Sequence, residues 1–573
     1  MFVQNDFHWR DVLSMNRGAH TIKTGVDTYY DQDNTIFTPG LLKPGFYFLN
    51  VFGFAADNPL YEYDFNYDPV TGGPPFNDYG TRVTTYGFFV QNDWKVKSNL
   101  SLNLGLRWDF SNNPTDKTDH FTNFELGPGT TMQERIAGIK SVHVSGLCAD
   151  HRIGYFAPRL GLAWDPTKKG KMSVRAGFGV FMDRMPNQAW TGQIANPPNT
   201  ANIFADRRNP NPPYPLFALG TSDEVPYNVP LPGPLPLGLN PGGGPLAGLA
   251  RVQGLDPALR SAYAENWFLG VQYSFAPNWM FEANYMGSQG HHLYTQINRN
   301  RYAGDALDGT LDRLNPYFAA IDYTDNNGNS FYTSGSLAVR KVYSNGFSFQ
   351  TAYTFGKAID YSNWNSTGSS GIFAPVFDAW NYKAQRGLSE TDTPQKLTFN
   401  FVWELPKPNT SSRIANGFLG GWEASSMATF QKGLAQGVYT YGADYNLGGQ
   451  YYDRPDTPSW GNSKSGLSRS DYMSGVFTAS DFPVPTPGTN GNLGRNTFRA
   501  PGYAQVDFGM IKNTHIPWFV SEGANFQIRA EFYNFLNRVN LATWDTNLAS
   551  GTFGLATSAW TARRLQLGLR IQF

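Results

Sequence analysis

The sequence ends on a strict alternation of apolar and polar side chains. In the final segment RRLQLGLRIQF every second residue is apolar, namely Leu565, Leu567, Leu569, Ile571 and Phe573. Successive side chains of a β-strand point to opposite faces, so this period of two predicts a strand with one apolar face. A shift of one residue in register would bring Arg564 and Arg570 to that apolar face, which fixes the register strongly.

The same period of two recurs along the whole chain. It is found, for example, in LSLNLGLRWDF (100–110), KMSVRAGFGVFMD (171–183) and NFQIRAEF (525–532). About fifteen strands of roughly 10 to 13 residues are predicted in this way, whereas strands of globular proteins usually have five or six residues. A tilted strand needs about 9–11 residues to cross a membrane. Length therefore favours membrane-spanning strands, and a soluble sandwich or propeller, whose strands also alternate, is the alternative.

The connections between the predicted strands alternate between short and long. Short connections are expected at 15–18, 97–99, 165–170, 276–278 and 343–346, followed by two somewhat longer turns at 406–417 and around 515–523. Long connections are expected at 31–81, 111–153, 184–261, 290–330, 358–391, 433–502 and 537–561. Such alternation places all short turns on one side of an antiparallel sheet, as in outer-membrane β-barrels with short periplasmic turns and long extracellular loops. The Pro- and Gly-rich segment 184–261 is interpreted as one of these loops rather than as a linker between domains.

Composition limits the kinds of function that the chain can have. The 45 basic and 45 acidic residues balance, so net charge gives no support for binding to nucleic acid. A single cysteine excludes an internal disulfide, and no apolar run approaches the roughly 20 residues of a transmembrane helix. Aromatic residues make up 16% of the chain, and several tryptophans lie near predicted strand ends, where membrane barrels carry aromatic girdles.

The predicted topology gives one domain with a defined orientation. Residues 1–573 are expected to form a single all-β domain, an antiparallel transmembrane β-barrel that is N-terminally incomplete. With Phe573 at the periplasmic end, the long loops are extracellular and the first strand runs towards the periplasm, whereas a complete barrel has an even number of strands and both ends in the periplasm. No signal peptide is recognisable in MFVQNDFHWRDV. The predicted location is the outer membrane of a Gram-negative bacterium.

Several segments resemble the barrel of Oar-like TonB-dependent outer-membrane receptors. They include YGFFVQNDWKVKSNLSLNLGLRWDF (86–110), FAPRLGLAWDPTKKGKMSVRAGFGVFMD (156–183), GFSFQTAYTFGKAID (346–360) and FQIRAEFYNFLNRVNL (526–541), and the resemblance extends in order over nearly the whole chain. It implies a barrel of about 22 strands and a plug that this sequence does not contain. It also implies the import of a large nutrient (a siderophore, an oligosaccharide or a peptide) driven by a TonB-type energy-coupling system.

The resemblance further implies that the last strand is a signal for the barrel-assembly machinery. The residues of this signal are Leu565, Leu567, Leu569, Ile571 and Phe573. Outer-membrane lipid, on the apolar side of every strand, is another predicted partner. A passive porin-like channel and a surface adhesin barrel are the alternative functions.

No motif of the sequence indicates catalysis, and neither a cofactor nor a metal is predicted. The sequence contains no HExxH, Walker-type GxxxxGK[ST] or GxSxG pattern. The densest group of ligand-type side chains, in HVSGLCADH (143–151), is interpreted as a solvated loop.

Aromatic residues of one long loop are the candidate ligand contacts. They are Tyr439, Tyr441, Tyr445, Tyr451, Tyr452 and Trp460. Aromatic rings offer a large contact area at low entropic cost, which suits the capture of sugars, peptides or siderophores. The alternative is a loop that packs on itself over the mouth of the barrel. Polar residues between the apolar positions are expected to line the lumen, among them Arg107, Asp109, Arg175, Glu282, Arg529 and Glu531.

Overall fold

The computed structural model describes most of the chain. The described residues are 2–36, 45–48, 51–56, 61–73, 75–76, 78–147, 155–185, 191–206, 236–246, 248–361, 378–407, 410–441, 443–449, 452–461, 467–516 and 523–572. Phe573, Tyr451 and residues 148–151 lie outside this set. No helix within the described residues is long and apolar enough to cross a membrane.

Within the described residues, fifteen long strands, numbered here in chain order, form one antiparallel meander. They are Phe2–Arg17 (β1), His20–Ile36 (β2), Asp78–Lys97 (β3), Leu100–Ser111 (β4), Tyr155–Trp164 (β5), Met172–Met182 (β6), Tyr263–Ala276 (β7), Trp279–Asn298 (β8), Phe318–Ser344 (β9), Phe347–Asp360 (β10), Gln395–Glu404 (β11), Trp422–Gln431 (β12), Tyr503–Ile516 (β13), Ala524–Tyr533 (β14) and Arg564–Gln572 (β15). Each pairs with the next along the chain. The predicted all-β antiparallel fold and its strand number are confirmed.

The alternation of the sequence maps onto the two faces of this sheet. Between β4 and β5, Leu104 lies opposite Leu160, whereas Gly105 lies opposite Arg159. The apolar residues of neighbouring strands therefore share one face of the sheet. Large side chains on this face are not covered by protein, and Leu567, for example, is 72% exposed. An apolar surface of this extent is stable against hydrocarbon. We call it the lipid face, and we call the opposite, polar face the lumenal face.

The final strand keeps the predicted register. Leu565 of β15 lies opposite Phe532 of β14 on the lipid face. Arg564 lies opposite Tyr533 on the lumenal face, with its guanidinium carbon 5.7 Å from the centre of the tyrosine ring. The register thus keeps the arginine out of hydrocarbon.

Short and long connections lie at opposite ends of the strands, as predicted. The hairpin between β9 and β10 turns at Asn345 and Gly346, which have φ values of 51° and 72°. A two-residue turn of this kind needs positive φ at both positions, and Asn-Gly adopts it readily. On the other side, β6 and β7 pair directly although the segment 184–261 lies between them along the chain. Residues 186–190, 207–235 and 247 of this segment lie outside the described set, and its interpretation as one loop stays a prediction.

Several strands are longer than the sequence predicts. Strands β3, β8 and β9 contain 20, 20 and 27 residues. The additional residues lie at the extracellular ends, where Gln296 of β8 still pairs with Thr324 of β9 and both residues are buried. Because the loops cover both faces of the sheet there, the apolar–polar alternation stops before the strand does, and the pattern underestimates the length.

Short elements occupy the connections. The helices are Val51–Ala55 (α1), Met132–Ala137 (α2), Arg413–Leu419 (α3) and Arg469–Ser474 (α4), with 3-10 turns at Thr191–Ile194, Tyr382–Gln385 and Ala479–Asp481. The short strands are Gly45–Tyr47, Tyr61–Tyr67, Thr115–Asp116, Thr122–Glu125, Lys140–His143, Ala201–Asp206, Ala250–Leu255, Gly387–Leu388, Ala435–Gln436, Thr440–Tyr441, Tyr452–Asp453 and Phe498–Arg499. One of them, Ala250–Leu255, pairs in parallel with the start of β9 and so ties its loop to the sheet.

The described residues of the long connections pack into a unit that we call the loop canopy. Its largest cluster of buried side chains contains Val438, Tyr472, Val476, Phe477, Phe482, Leu493, Phe498, Leu541, Trp544, Leu548 and Phe553. A second cluster includes two of the first residues of β3. It contains Tyr79, Val83, Phe121, Leu147, Ile194, Leu255 and Leu259. The hydrophobic core of the protein is therefore built mainly by its extracellular connections.

Candidate functional site

The predicted aromatic residues of the 437–460 loop lie within the canopy. The ring of Tyr439 is buried and stacks on Tyr452 with a centroid distance of 4.7 Å, while its hydroxyl donates to Asn496 Oδ1 at 3.3 Å. Trp460 stacks on Phe477 at 5.6 Å. These three predicted residues thus pack against other canopy residues, and a large part of the Trp460 indole stays exposed.

The structure describes the other predicted aromatic residues only in part. Tyr445 is half-buried, and burial raises the pKa of its hydroxyl. Tyr441 lies opposite Tyr452 in a short ladder, and its side chain lies outside the described set, as does the whole of Tyr451. The role of these aromatic residues in ligand contact stays a prediction.

Charged residues of four neighbouring strands form a network on the lumenal face, and the sequence predicts only some of them. Arg107 of β4 was predicted to line the lumen, and its Nη1 donates to Asp27 Oδ2 of β2 at 2.7 Å. Its Nε donates to both carboxylate oxygens of Asp109, at 2.8 and 3.0 Å. Arg10 Nε lies 3.4 Å from Asp27 Oδ1, and so extends the network to β1. Charge-assisted, partly bidentate contacts of this kind are the stronger hydrogen bonds in proteins, and here they fix one guanidinium in place.

A glycine in the intervening strand makes this network possible. Gly87 of β3 lies opposite Asp27 on one side and opposite Asp109 on the other. A Cβ atom at this position would lie 2.1 Å from Arg107 Nη2 and 2.9 Å from Asp109 Oδ1. The missing side chain therefore lets Arg107 reach across β3, from β4 to β2.

A second ion pair lies nearer the extracellular end of the sheet formed by β1 to β15, which we call the strand wall. Arg184, just after β6, donates to Asp31 Oδ2 of β2 at 3.0 Å. Its guanidinium carbon also lies 4.9 Å from the centre of the Tyr29 ring. Because β2 and β6 are separated by three strands in the sheet, this contact crosses the lumenal face.

A cavity of about 260 Å³ lies between these two groups of charges. Its walls come from the extracellular ends of β2 to β6 and include Arg107, Arg159 and Phe181. Canopy residues Asp183 and Ser261 complete it, and the Ser261 backbone N–H donates to the Tyr155 hydroxyl at 3.2 Å. Burial raises the pKa of Asp183. The cavity is thus lined by both charged and aromatic groups, as expected of a site that orients a polar ligand.

The remaining predicted lumenal residues face the same side but lie apart from this cavity. Arg175 Nε donates to Ser173 Oγ at 3.2 Å, and Glu282 accepts from Gln272 Nε2 at 3.3 Å. Arg529 Nε donates to Gln527 Oε1 at 2.6 Å. Glu531 lies on the lumenal face of β14, opposite Gly509 of β13 and Gln566 of β15. Asp27, Arg159 and Arg184 were missed, although the period of two places Asp27 and Arg159 on the lumenal face.

Buried charges also lie inside the canopy. Arg301 is fully buried near Asp453, Asp444 and Asp378, and burial lowers its pKa to about 10. Burial raises the pKa of Asp453 to about 6 and that of Asp305 to about 6. Within the described residues neither carboxylate oxygen of Asp305 accepts a hydrogen bond. Burying a carboxylate without hydrogen bonds favours its neutral form.

No group of three or more His, Cys, Asp or Glu side chains in the described ranges is arranged to hold a metal ion. Of the segment HVSGLCADH, His143 is described and lies opposite Thr122, whereas residues 148–151 lie outside.

Comparison with known proteins identifies one matching family. The family model described as "Outer membrane beta barrel domain" matches residues 2–566. No curated protein matches the chain.

Solved structures similar to this chain include one receptor and two transporters. One is the ferric enterobactin receptor PfeA of Pseudomonas aeruginosa in complex with enterobactin, at 12% identity and a TM-score of 0.48, with 99% of this chain and 54% of that chain covered. Another is the FrpB iron transporter of Neisseria meningitidis, at 10% identity and a TM-score of 0.43, with 97% and 53% covered. The third is the outer membrane transporter YddB of Escherichia coli, at 12% identity and a TM-score of 0.39, with 99% and 62% covered. The chain thus spans little more than half of the length of these structures.

Proposed function

This chain belongs to the outer membrane beta-barrel domain family, and from that premise we propose that it is the barrel part of a TonB-dependent receptor that imports a large nutrient. The protein lies in the outer membrane of a Gram-negative bacterium. The nutrient is of the siderophore, oligosaccharide or peptide class. The assignment to TonB-dependent receptors is supported by the ordered resemblance of the segments at 86–110, 156–183, 346–360 and 526–541.

The observation that carries this proposal is the charged, cavity-bearing lumenal face beneath a packed canopy. Arg107, Asp27 and Asp109 are fixed to one another on this face, and the cavity next to them opens between strand wall and canopy. Barrels of about 16–18 strands leave an aqueous channel, and 22-stranded transporters hold a plug in the lumen. A wall with at least fifteen strands is wide enough for either arrangement, and fixed lumenal charges favour a wall that contacts a plug or a ligand.

We propose further that additional strands and a plug complete this barrel. Within the described residues β1 pairs with β2 alone, and β15 pairs with β14 alone. Unpaired backbone groups in hydrocarbon each cost several kcal/mol, so both edges need partner strands. The alternating apolar residues at the end of the sequence are the signal that we assign to recognition by the barrel-assembly machinery. Leu565, Leu567, Leu569 and Ile571 belong to β15, and Phe573 lies outside the described residues.

An uptake assay in the native bacterium tests the proposal. The gene is deleted, and uptake of radiolabelled siderophores, oligosaccharides and peptides is compared between the deletion strain and its parent, each with and without a functional TonB system. We expect one class to lose uptake in the deletion strain, and to lose it equally when TonB is removed.

Two other results would contradict this function. Uptake that depends on the protein but continues without TonB would indicate a passive porin-like channel. Unchanged uptake of all three classes, together with weaker attachment of the deletion strain to surfaces, would indicate an adhesin barrel.

A further inference from the structure

We propose that the lumenal cavity binds a carboxylate-bearing end of the ligand through the guanidinium of Arg159. This inference rests on the proposed import function, because it names a chemical feature of the imported molecule. The cavity of about 260 Å³ is smaller than the roughly 300–1,000 Å³ of pockets that enclose a whole small molecule. It therefore holds one end of a large ligand rather than the entire ligand.

Arg159 differs from the other cations of the cavity in having no carboxylate partner among the described residues. Arg107 is held by Asp27 and Asp109, and Arg184 is held by Asp31. The guanidinium carbon of Arg159 instead lies 4.9 Å from the centre of the Phe181 ring. A guanidinium over an aromatic face keeps its N–H edge free, and that edge matches the two oxygens of a carboxylate.

The strands on both sides of Arg159 leave its side chain open to the lumen. Arg159 is exposed, and its register neighbours are Gly105 on β4 and Gly179 on β6. A Cβ atom at Gly105 would lie 3.6 Å from Arg159 Cβ, and one at Gly179 would lie 2.9 Å from the Phe181 ring. Side chains at these two positions would narrow the approach to the guanidinium and displace the ring.

The arrangement of charges around the cavity leaves one of its cations, Arg159, for an anion. The cavity lining contains three cations (Arg107, Arg159 and Arg184) and two carboxylates (Asp109 and Asp183). Asp109 pairs with Arg107, whose guanidinium also pairs with Asp27, so these three charges offset one another. Arg107 and Arg184 are offset by Asp27, Asp109 and Asp31, whereas the charge of Arg159 is left for a bound carboxylate. The rings of Tyr29 and Phe181 add apolar contact next to it.

The test measures discrimination between a carboxylate and its amide. The full chain is extracted from outer membranes in detergent, and binding of N-acetyl-4-fluorophenylalanine and of its C-terminal amide is followed by fluorine NMR line broadening. We expect the carboxylate to bind about tenfold or more tightly than the amide, as for hydrogen bonds to charged groups. Arg159→Gln should abolish this preference, and Arg159→Lys should restore part of it.

A matched control comes from the same face of the sheet. Arg175 of β6 also faces the lumen, but it is outside the cavity lining, so Arg175→Gln should leave the preference unchanged. Asp183→Asn should strengthen binding of the carboxylate by removing a competing negative charge. Equal binding of the two probes to the unaltered protein would overturn the inference, as would an unchanged preference in Arg159→Gln.

The inference and the import function can fail separately. If TonB-dependent uptake is found and the probes are not discriminated, the carboxylate site is wrong and the import function stands. If the probes are discriminated through Arg159 and uptake does not need TonB, the site stands and the import function is wrong.

Discussion

The strand wall and the loop canopy place their apolar residues in opposite ways. Along the wall, large apolar side chains such as Leu337 and Leu567 point away from the protein and are exposed. In the canopy, Trp544, Leu493 and Phe498 are buried, and even charged side chains such as Arg301 lie inside. The wall takes its apolar environment from the membrane, whereas the canopy stands in water and must form its own core. The strand wall is thus folded for a lipid environment and the canopy for water. A substitution that destabilises one region should therefore leave the other folded.

The largest effect is expected from removing a buried ring of the canopy. Trp544 is 2% exposed, its ring centroid lies 5.2 Å from that of Phe477, and its indole N–H donates to the Arg499 carbonyl at 3.1 Å. Trp544→Ala should cost about 3–5 kcal/mol of canopy stability by leaving a cavity. Limited proteolysis should then cut the canopy, while heat-modifiable migration in gels should show that the wall stays folded.

Trp560, which is exposed, supplies the matched control for that substitution. Trp560→Ala should leave the protease pattern as it is. Simultaneous loss of wall and canopy in Trp544→Ala would show that the two regions do not unfold independently, which contradicts the comparison.

The next largest effect is expected from a charge on the lipid face. Leu337 and Ser336 are neighbours in β9, the first on the lipid face and the second on the lumenal face. Leu337→Arg should destabilise the wall by about 2–4 kcal/mol near the middle of the bilayer, whereas Ser336→Arg should have little effect. Urea titration of the protein in phospholipid vesicles measures both. Similar losses for the two variants would show that the assigned faces are wrong.

A smaller effect is expected from filling the space at Gly87. A Cβ there would collide with Arg107, so Gly87→Ala should break the contact with Asp27 and cost about 1–3 kcal/mol, as for overpacked sites. In the control Gly335→Ala, the added methyl group meets nothing within 4 Å. The same urea titration should therefore show destabilisation for the first variant alone. An equal response of both glycines would indicate a general sensitivity of the strands rather than a role in the charge network.

The smallest effect is a pH dependence confined to the canopy. The pKa of Asp305 is about 6 in the folded protein, above its ordinary value of 3.8, and Arg313, Asp312, Asp308 and Arg301 are the charged groups around it. A raised folded pKa means that its stabilising contribution is complete below about pH 3.8 and is lost as pH rises through 6. Between pH 5 and 7.5 the canopy should lose roughly 1 kcal/mol from this group.

Protease resistance of the canopy, measured with one protease active over that range, checks this expectation. It should fall from pH 5 to 7.5 in the unaltered protein, and the fall should be smaller in Asp305→Asn. The pKa of Asp453 is also raised to about 6 in the folded protein, so this group contributes to the same fall. The double variant Asp305→Asn, Asp453→Asn should therefore show a smaller fall than Asp305→Asn alone. A canopy that becomes more resistant as pH rises would contradict the assignment.

The wall could be predicted almost completely from the sequence, and the candidate site only in part. Arg107 and Asp109 were placed on the lumenal face by parity within one strand, and the structure agrees. Their partner Asp27 is 80 residues from Arg107 along the chain, and the pairing depends on Gly87 between them. No local sequence pattern indicates which residues so far apart along the chain will meet. The sequence therefore does not predict this network or the cavity beside it.

The sequence by itself determined the number and order of the strands and the face that each turns to lipid, but not the full length of β3, β8 and β9. A period of two is a local signal, because a strand between hydrocarbon and lumen must alternate its side chains at every step. Tertiary structure alone decided which lumenal charges meet, as for Arg184 and Asp31, which are 153 residues apart. It also decided how loops far apart in the chain form the core around Trp544. Contacts of this kind depend on how the whole sheet brings its connections together, and their residues follow no period that the sequence displays.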